Sequence, residues 1–247
     1  NATTKPPEGE TGPMTDFSDA LLTAVALIVN LNQDLTEIVL LSLRVSFSAL
    51  FIATLIAMPV GAAVALYRFP GRTAIVVFMN ALMGLPPVVV GLIVYLLLSR
   101  TGPFGVLGLL FTPTAMIIAQ VLLIMPIIGA LTRQVIEDLW AEYEEQLRSL
   151  GAGPGRAITA LIWDGRYSLL TALLAGFGRA SAEVGAVMIV GGNIDHVTRV
   201  MTTSIALEVS KGDLVLALAL GCILMAISLG ANGGAYGMKA LAERSEK

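Results

Sequence analysis

One cysteine and one histidine in 247 residues, with a charged fraction of only 13%, are the scarcities of this sequence, and each closes off a class of function. A lone Cys222 excludes an intrachain disulfide framework and any cysteine-based metal cluster, and within its apolar run it reads as a packing residue. A lone His196 cannot build a metal site. No G-x4-G-K-[ST] phosphate loop is present: Gly151-Ala152-Gly153-Pro154-Gly155-Arg156 lacks the lysine and a preceding strand, so it reads as a turn. HExxH, GxSxG and carboxylates at metal-ligand spacing are missing too. The chain is therefore not expected to be an enzyme or to hydrolyse ATP alone, and no cofactor, metal or nucleic-acid partner is expected.

Apolar residues are what the chain has in excess. A hydrophobic share of 56% and a mean hydropathy of +0.83 exceed what a soluble domain carries and indicate an integral membrane protein. Residues 1–16, rich in Pro, Gly and Thr and without the basic start and apolar core of a signal peptide, read as a disordered tail. The apolar stretch 17–31 is short for crossing about 30 Å of hydrocarbon at about 1.5 Å per residue, so it reads as an interfacial helix, with a full extra span as the alternative. Five spans follow, and 17–247 is read as one all-α polytopic domain. They cover about 38–66, 73–99, 112–132, 167–190 and 214–237. The second contains Asn80 and the pair Pro86-Pro87, which must kink or break it. The third carries Pro126 near its end. A Gly- and Pro-containing loop fills 100–111, and 191–211 reads as a polar loop.

Lysine and arginine gather on the cytoplasmic side of a membrane protein. Arg68, Arg72, Arg133, Arg148, Arg156, Arg166, Lys239, Arg244 and Lys247 fall on one side of this arrangement, against Lys5, Arg100, Arg199 and Lys211 on the other. The bias predicts an external N-terminus and a cytoplasmic C-terminus. Three charges sit within the spans: Arg44, Arg179 and Glu183. A charge at bilayer depth costs at least about 2.5 to 3.5 kcal/mol, so it needs a partner or a water-filled path. Arg179 and Glu183 stand i, i+4 and could satisfy each other, or Glu183 could pair with Arg44. The other reading gives these charges a direct role in a translocation path. Ser42, Ser46 and Ser48 beside Arg44 are either small packing residues or a polar lining for an anion.

Between the third and fourth spans lies a polar segment, about 137–166. Trp140, Tyr143, Leu147 and Leu150 recur at helical spacing in it, and Gly151, Gly153, Pro154 and Gly155 end that helix before a second short one over 156–163. The helix-turn-helix presents an apolar knob. Glu145, followed six positions later by Gly151 and a second helix, resembles the EAA loop of ATP-binding-cassette importer permeases, in which the knob docks on the ATPase subunit. Gln146 and Leu147 stand where that family has two alanines, and Leu161-Ile162-Trp163-Asp164 where it has an Ile-x-Leu-Pro ending. On this resemblance Tyr143, Glu145, Leu147 and Gly151 form the docking loop, or coupling helix.

The resemblance extends further. LLSLRVS at 40–46, NALMGLPPVVVGLIVYLLLSRTGPFGVLGLLFTPTAMIIAQ at 80–120 and GRASAEVGAVMIVGGNIDHVTRVMTTSIALEVSKGDLVLALALG at 178–221 look like the tungstate-type branch of the oxyanion importer permeases. It implies a type I (MetI-like) importer permease fold of about five transmembrane helices in the cell's cytoplasmic membrane, working as a homodimer. It also implies two cytoplasmic ATPase subunits, an extracytoplasmic binding protein, and tungstate or molybdate as cargo, moved by alternating access. Arg44, Ser46, Ser48, Asn80, Arg179 and Glu183 are then the candidates for the path or its charge network. An ion- or proton-coupled secondary transporter is the alternative; it predicts broken helices in corresponding halves, and only the Pro86-Pro87 break is apparent in the sequence. A membrane-embedded enzyme would need a catalytic cluster at one interface, which the sequence lacks.

Overall fold

Prolines and small residues decide where this chain bends and where it packs. The computed structural model describes residues 33–245; the interfacial helix expected over 17–31 and the tail over 1–16 lie outside them. Among the described residues there are nine α-helices and no strand. They are α1 (Gln33–Leu66), α2 (Arg72–Met83), α3 (Pro87–Leu98), α4 (Pro113–Ser149), α5 (Pro154–Asp164), α6 (Arg166–Ser181), α7 (Gly185–Gly191), α8 (Met201–Lys211) and α9 (Leu214–Ser245). Three stretches, α1, α4 and the Leu214–Gly234 part of α9, are each long and apolar enough to cross a membrane. The bent pairs α2/α3 and α6/α7 bring the total to 5 if each pair counts as one span.

The first break falls where prolines force it. Pro86, in extended conformation, precedes Pro87 at the start of α3, and a residue before proline is kept out of the helical region. The axis turns by 101° there. The second break has no proline and was not expected: in place of one helix over 167–190, α6 stops at Ser181 and α7 restarts at Gly185 after a bend of 56°. Its cause is local competition for backbone donors, because the Glu183 carboxylate accepts from the Ala186 N–H at 3.0 Å and so caps α7. The broken helix in the first half therefore has a counterpart in the second.

Two further expectations change. A span ending near 132 and a separate amphipathic helix are in fact one 37-residue helix, α4, since no glycine or proline lies between Gly129 and Gly151 to stop it. The polar stretch 191–211 is only half loop. Thr203 accepts from the Val200 N–H at 3.1 Å and starts α8, which buries Met201, Thr202, Ser204 and Glu208.

Packing rests on close backbone approach. Ala49, Ala53, Ala57 and Gly61 recur every fourth residue on α1, all buried, and α1 packs more extensively on α4 than on any other helix. A Cβ at Gly61 would lie 2.4 Å from the Gly129 carbonyl oxygen, so the two backbones touch, as small-residue stripes allow in membranes. Pro59 and Pro126 sit in the interiors of the same two helices, near that contact. At Gly91 of α3, a Cβ would come within 2.7 Å of the Ala186 Cα of α7, so the second halves of the two broken spans lie directly against each other. Met116, Ile124, Ile128, Val187 and Val190 fill the space between. Outward, Phe47, Phe51, Leu55, Val77, Phe78, Leu92 and Leu96 expose apolar surface suited to lipid or to another membrane helix.

Candidate functional site

At one end of the bundle α4 continues past its span as an amphipathic helix. Leu139, Trp140, Tyr143 and Leu147 pack with Ile158, Leu161 and Ile162 of α5 and with Ala62, Ala65 and Leu66 of α1. The helix ends at Gly151, whose φ of +68° is the left-handed conformation its position suggests. The Gly151 N–H donates to Arg148 O at 3.0 Å and the Ala152 N–H to Leu147 O at 2.9 Å, the paired bonds of a Schellman motif. Pro154 then occupies the first turn of α5 without wasting a donor.

The result is a knob with a cleft lined by Tyr143, Gln146, Leu147, Leu150, Trp163 and Asp164. Among the expected docking residues, Tyr143 and Leu147 are half-buried beneath it, while Glu145 and Gly151 are exposed. Leu150 and Trp163 stand 82% and 73% exposed, which is unusual for side chains of that size in a packed region. Trp163 was missed as a site residue; its signal was that both tryptophans of the chain, Trp140 and Trp163, fall in this one polar segment. The Arg166 guanidinium lies 5.3 Å from the Trp163 ring centre and donates to the Trp163 carbonyl at 2.9 Å.

The intramembrane charges are arranged differently from the expected pairing. Glu183 is buried and makes no ion pair with Arg179 or Arg44. The i, i+4 geometry that would join it to Arg179 is lost because α6 ends at Ser181, between them. Glu183 uses its carboxylate on the Ala186 N–H and its carbonyl on the Thr202 hydroxyl, at 2.8 Å. The Nε of Arg179 is buried and has no acceptor among the described residues. Arg44 is exposed on α1 and Asn80 is exposed on α2.

The serines divide in the same way. Ser42 accepts from the Met201 N–H at 2.7 Å and donates to Ile38 O at 2.7 Å, so it ties α8 to α1. Ser46 is buried, lining with Ser42, Gln120, Ser181 and Thr202 a cavity of about 10 Å³. Ser48 is half-buried. Gln120 donates from Nε2 to Ala180 O at 3.1 Å, and its Oε1 has no partner. It too went unnoticed in the sequence, where its signal was a single amide in the apolar stretch 113–131. The cavity has room for about one water molecule and not for a polyatomic ion.

At the opposite end, His196 Nδ1 lies 2.8 Å from Glu37 Oε2, joining the loop after α7 to the start of α1. The hydrogen bond to Glu37, with the nearby Asp195 charge, holds the His196 pKa above its ordinary value. Beside this pair opens a cleft whose lining includes Gln33, Thr36, Leu40 and Arg44. Nearby, the Phe111 N–H donates to Val190 O at 3.0 Å and fastens the loop before α4 to the end of α7.

Comparison with known proteins fits this architecture. The family model for the binding-protein-dependent transport system inner membrane component matches residues 57–235. The chain is 40% identical over 223 residues to the tungstate uptake system permease protein of Peptoclostridium acidaminophilum, covering 90% of this chain and 98% of that protein. It is 38% identical over 203 residues to a probable anion ABC transporter permease of Haloferax volcanii, covering 80% and 88% respectively. To the sulfate transport system permease of Escherichia coli it is 31% identical over 173 residues, covering 66% and 61%.

Proposed function

The chain belongs to the family of binding-protein-dependent transport system inner membrane components, and from that membership we propose that it is the multi-pass permease of an ATP-driven importer whose cargo is tungstate or molybdate. The substrate follows the tungstate uptake permease to which it is 40% identical. The observation that carries the mode of action is the knob: α4 leaves the bundle without interruption and closes at Gly151 under exposed Leu150 and Trp163. An apolar projection of this kind is what a separate ATPase subunit can grip.

In this reading two permease copies pair, and two cytoplasmic ATPase subunits hold their knobs and perform the hydrolysis. The knob end is cytoplasmic, with the N-terminus outside and the C-terminus inside, in keeping with the arginine-rich loops around it. The binding protein delivers the oxyanion against the loops around 99–112 and 191–200. Closure of the ATPases moves the knobs and opens the path, and hydrolysis resets it.

The path runs between the two copies. The cavity of about 10 Å³ beside Ser46 does not hold an oxyanion, and Arg44 and Asn80 are exposed on α1 and α2. Arg44, at the outer cleft, meets the arriving dianion first, and Arg179, whose buried Nε has no acceptor among the described residues, offers a cation further along. Ser48, half-buried on α1, borders that route, while buried Ser46 and Glu183 support the helices beside it. Contacts on the way stay weak, since tight binding would slow release.

The test is ATP-dependent uptake of labelled tungstate into proteoliposomes holding this chain, its ATPase and its binding protein, competed more strongly by molybdate than by sulfate. Uptake driven by a proton gradient without ATP would overturn the reading in favour of a secondary transporter, which the two matched helix breaks would also suit.

A further inference from the structure

We infer that Glu137 is the joint through which movement of the knob reaches the broken span α2/α3, and that it acts as a positioning residue of the transport cycle. The inference rests on the permease reading above and adds the residue that does the coupling.

Each carboxylate oxygen of Glu137 meets one guanidinium: Oε1 that of Arg72, the first residue of α2, and Oε2 that of Arg133, one turn earlier on α4. Arg72 does more than neutralise a charge. Its Nε donates to Val64 O at 2.7 Å and its Nη2 to Ala65 O at 3.3 Å, two carbonyls in the last turn of α1 that the helix leaves without intrahelical partners. One planar side chain thus joins the end of α1, the start of α2 and the middle of α4, a task that suits the fixed fork of arginine.

The position of the triad gives it a mechanical role. Glu137 follows Ile136, which is fully buried in the cluster that binds α5 to α4, so it rides on the same helical turn as the base of the knob. On the other side, α2 has no buried residue at all. Beyond the Arg72 fork, α2 meets α4 at Met79, whose methyl group lies against Gly129. A helix so lightly packed follows its charged tether. Past the 101° bend, α3 lies against α7 at Gly91 and Ala186, so a displacement handed to α2 reaches both broken spans.

The two ion pairs make different predictions. Arg133–Glu137 lies within one helix and cannot transmit movement between helices, whereas Arg72–Glu137 joins two. In proteoliposomes holding the assembled complex, the measured quantity is tungstate taken up per ATP hydrolysed, normalised to complexes recovered. Glu137→Gln and Arg72→Gln are expected to lower that ratio by about tenfold, within the range of ordinary coupling free energies. Arg133→Gln is expected to leave it within about twofold, and Arg72→Lys, which keeps the charge and loses the fork, falls between. A ratio unchanged in Glu137→Gln and Arg72→Gln would overturn the inference, and so would an equal loss in all three. If either variant assembles poorly, the ratio per recovered complex still decides. Failure of the wild-type chain to assemble with any ATPase would instead defeat the permease reading.

Discussion

The carboxylate of Glu183 accepts a hydrogen bond from the Ala186 N–H at 3.0 Å, and the two residues together start α7 inside the membrane domain. An amide oxygen could accept the same bond. Glu183→Gln should therefore fold nearly as well as the wild type, while Glu183→Ala should lose about 1 to 2 kcal/mol, the usual cost of removing a helix cap. Thermal unfolding in detergent measures both. Equal damage from the two substitutions would mean that charge, and not capping, is what the site needs.

Gly151 tests the knob. Nothing lies within 4 Å of where its Cβ would be, so the penalty of a side chain there comes from the φ of +68° alone, about 1 kcal/mol or more. Gly151→Leu should insert normally but recover less ATPase on co-purification and transport poorly. Full transport by this variant would remove the turn from the docking surface.

The contact of Gly61 with Gly129 tests the packing. Gly61→Ala would place a Cβ 2.4 Å from the Gly129 carbonyl oxygen and so must push the two backbones apart, an overpacking that costs about 1 to 3 kcal/mol. Gly221→Ala on α9 meets nothing within 4 Å and should be neutral or slightly stabilising through helix propensity. The difference between their melting temperatures in detergent is the measurement.

His196 gives a pH dependence of defined sign. Its pKa is raised in the folded state, chiefly by the hydrogen bond to Glu37, so its contribution is fully present below the unfolded value near 6.5 and is lost as pH rises through the folded value. Protection factors in the 192–200 loop, taken relative to the intrinsic exchange rate at each pH, should be higher at pH 6 than at pH 8.5, and His196→Gln should flatten that difference. A loop that tightens as pH rises contradicts the pairing.

Orientation is open to labelling. In a Cys222→Ala background, a cysteine at exposed Ser149 should react with an impermeant thiol reagent from the cytoplasmic side, and one at exposed Ser210 from outside. Thr198 would be a poor reporter, being 1% exposed with its hydroxyl donating to Gly191 O. The opposite pattern would invert the molecule in its membrane.

Features written in local chemistry were legible in the sequence. Hydropathy marks the spans, Pro86-Pro87 marks the first break, and the place of Gly151 after a helix end marks its left-handed turn. Features that depend on a choice among partners were not. Glu183 could turn to Arg179, to Arg44 or to a backbone amide, and only the packing of α7 against α3 favours the last. The alanines 49, 53 and 57 carry no chemistry and show their purpose only when Gly129 is found opposite Gly61. The charges of the Arg72, Glu137 and Arg133 triad were counted as loop residues, because 65 positions of chain separate two of its members.

The meeting of α1 and α4 at Gly61 and Gly129 also divides α4 into arms. Sixteen residues run from Gly129 back to Pro113 and twenty forward to Ser149, about 24 Å and about 30 Å at the usual rise. Pro126 withholds one backbone donor one turn from the contact, yet the helix runs without a break from Pro113 to Ser149, so its arms move as one body. A rod pivoted so near its middle is a lever of nearly unit ratio. In the transport cycle proposed above, a sideways step of a few ångströms at the knob returns, in the opposite sense and almost undiminished, at the far end of α4, so one end closes by the same stroke that opens the other.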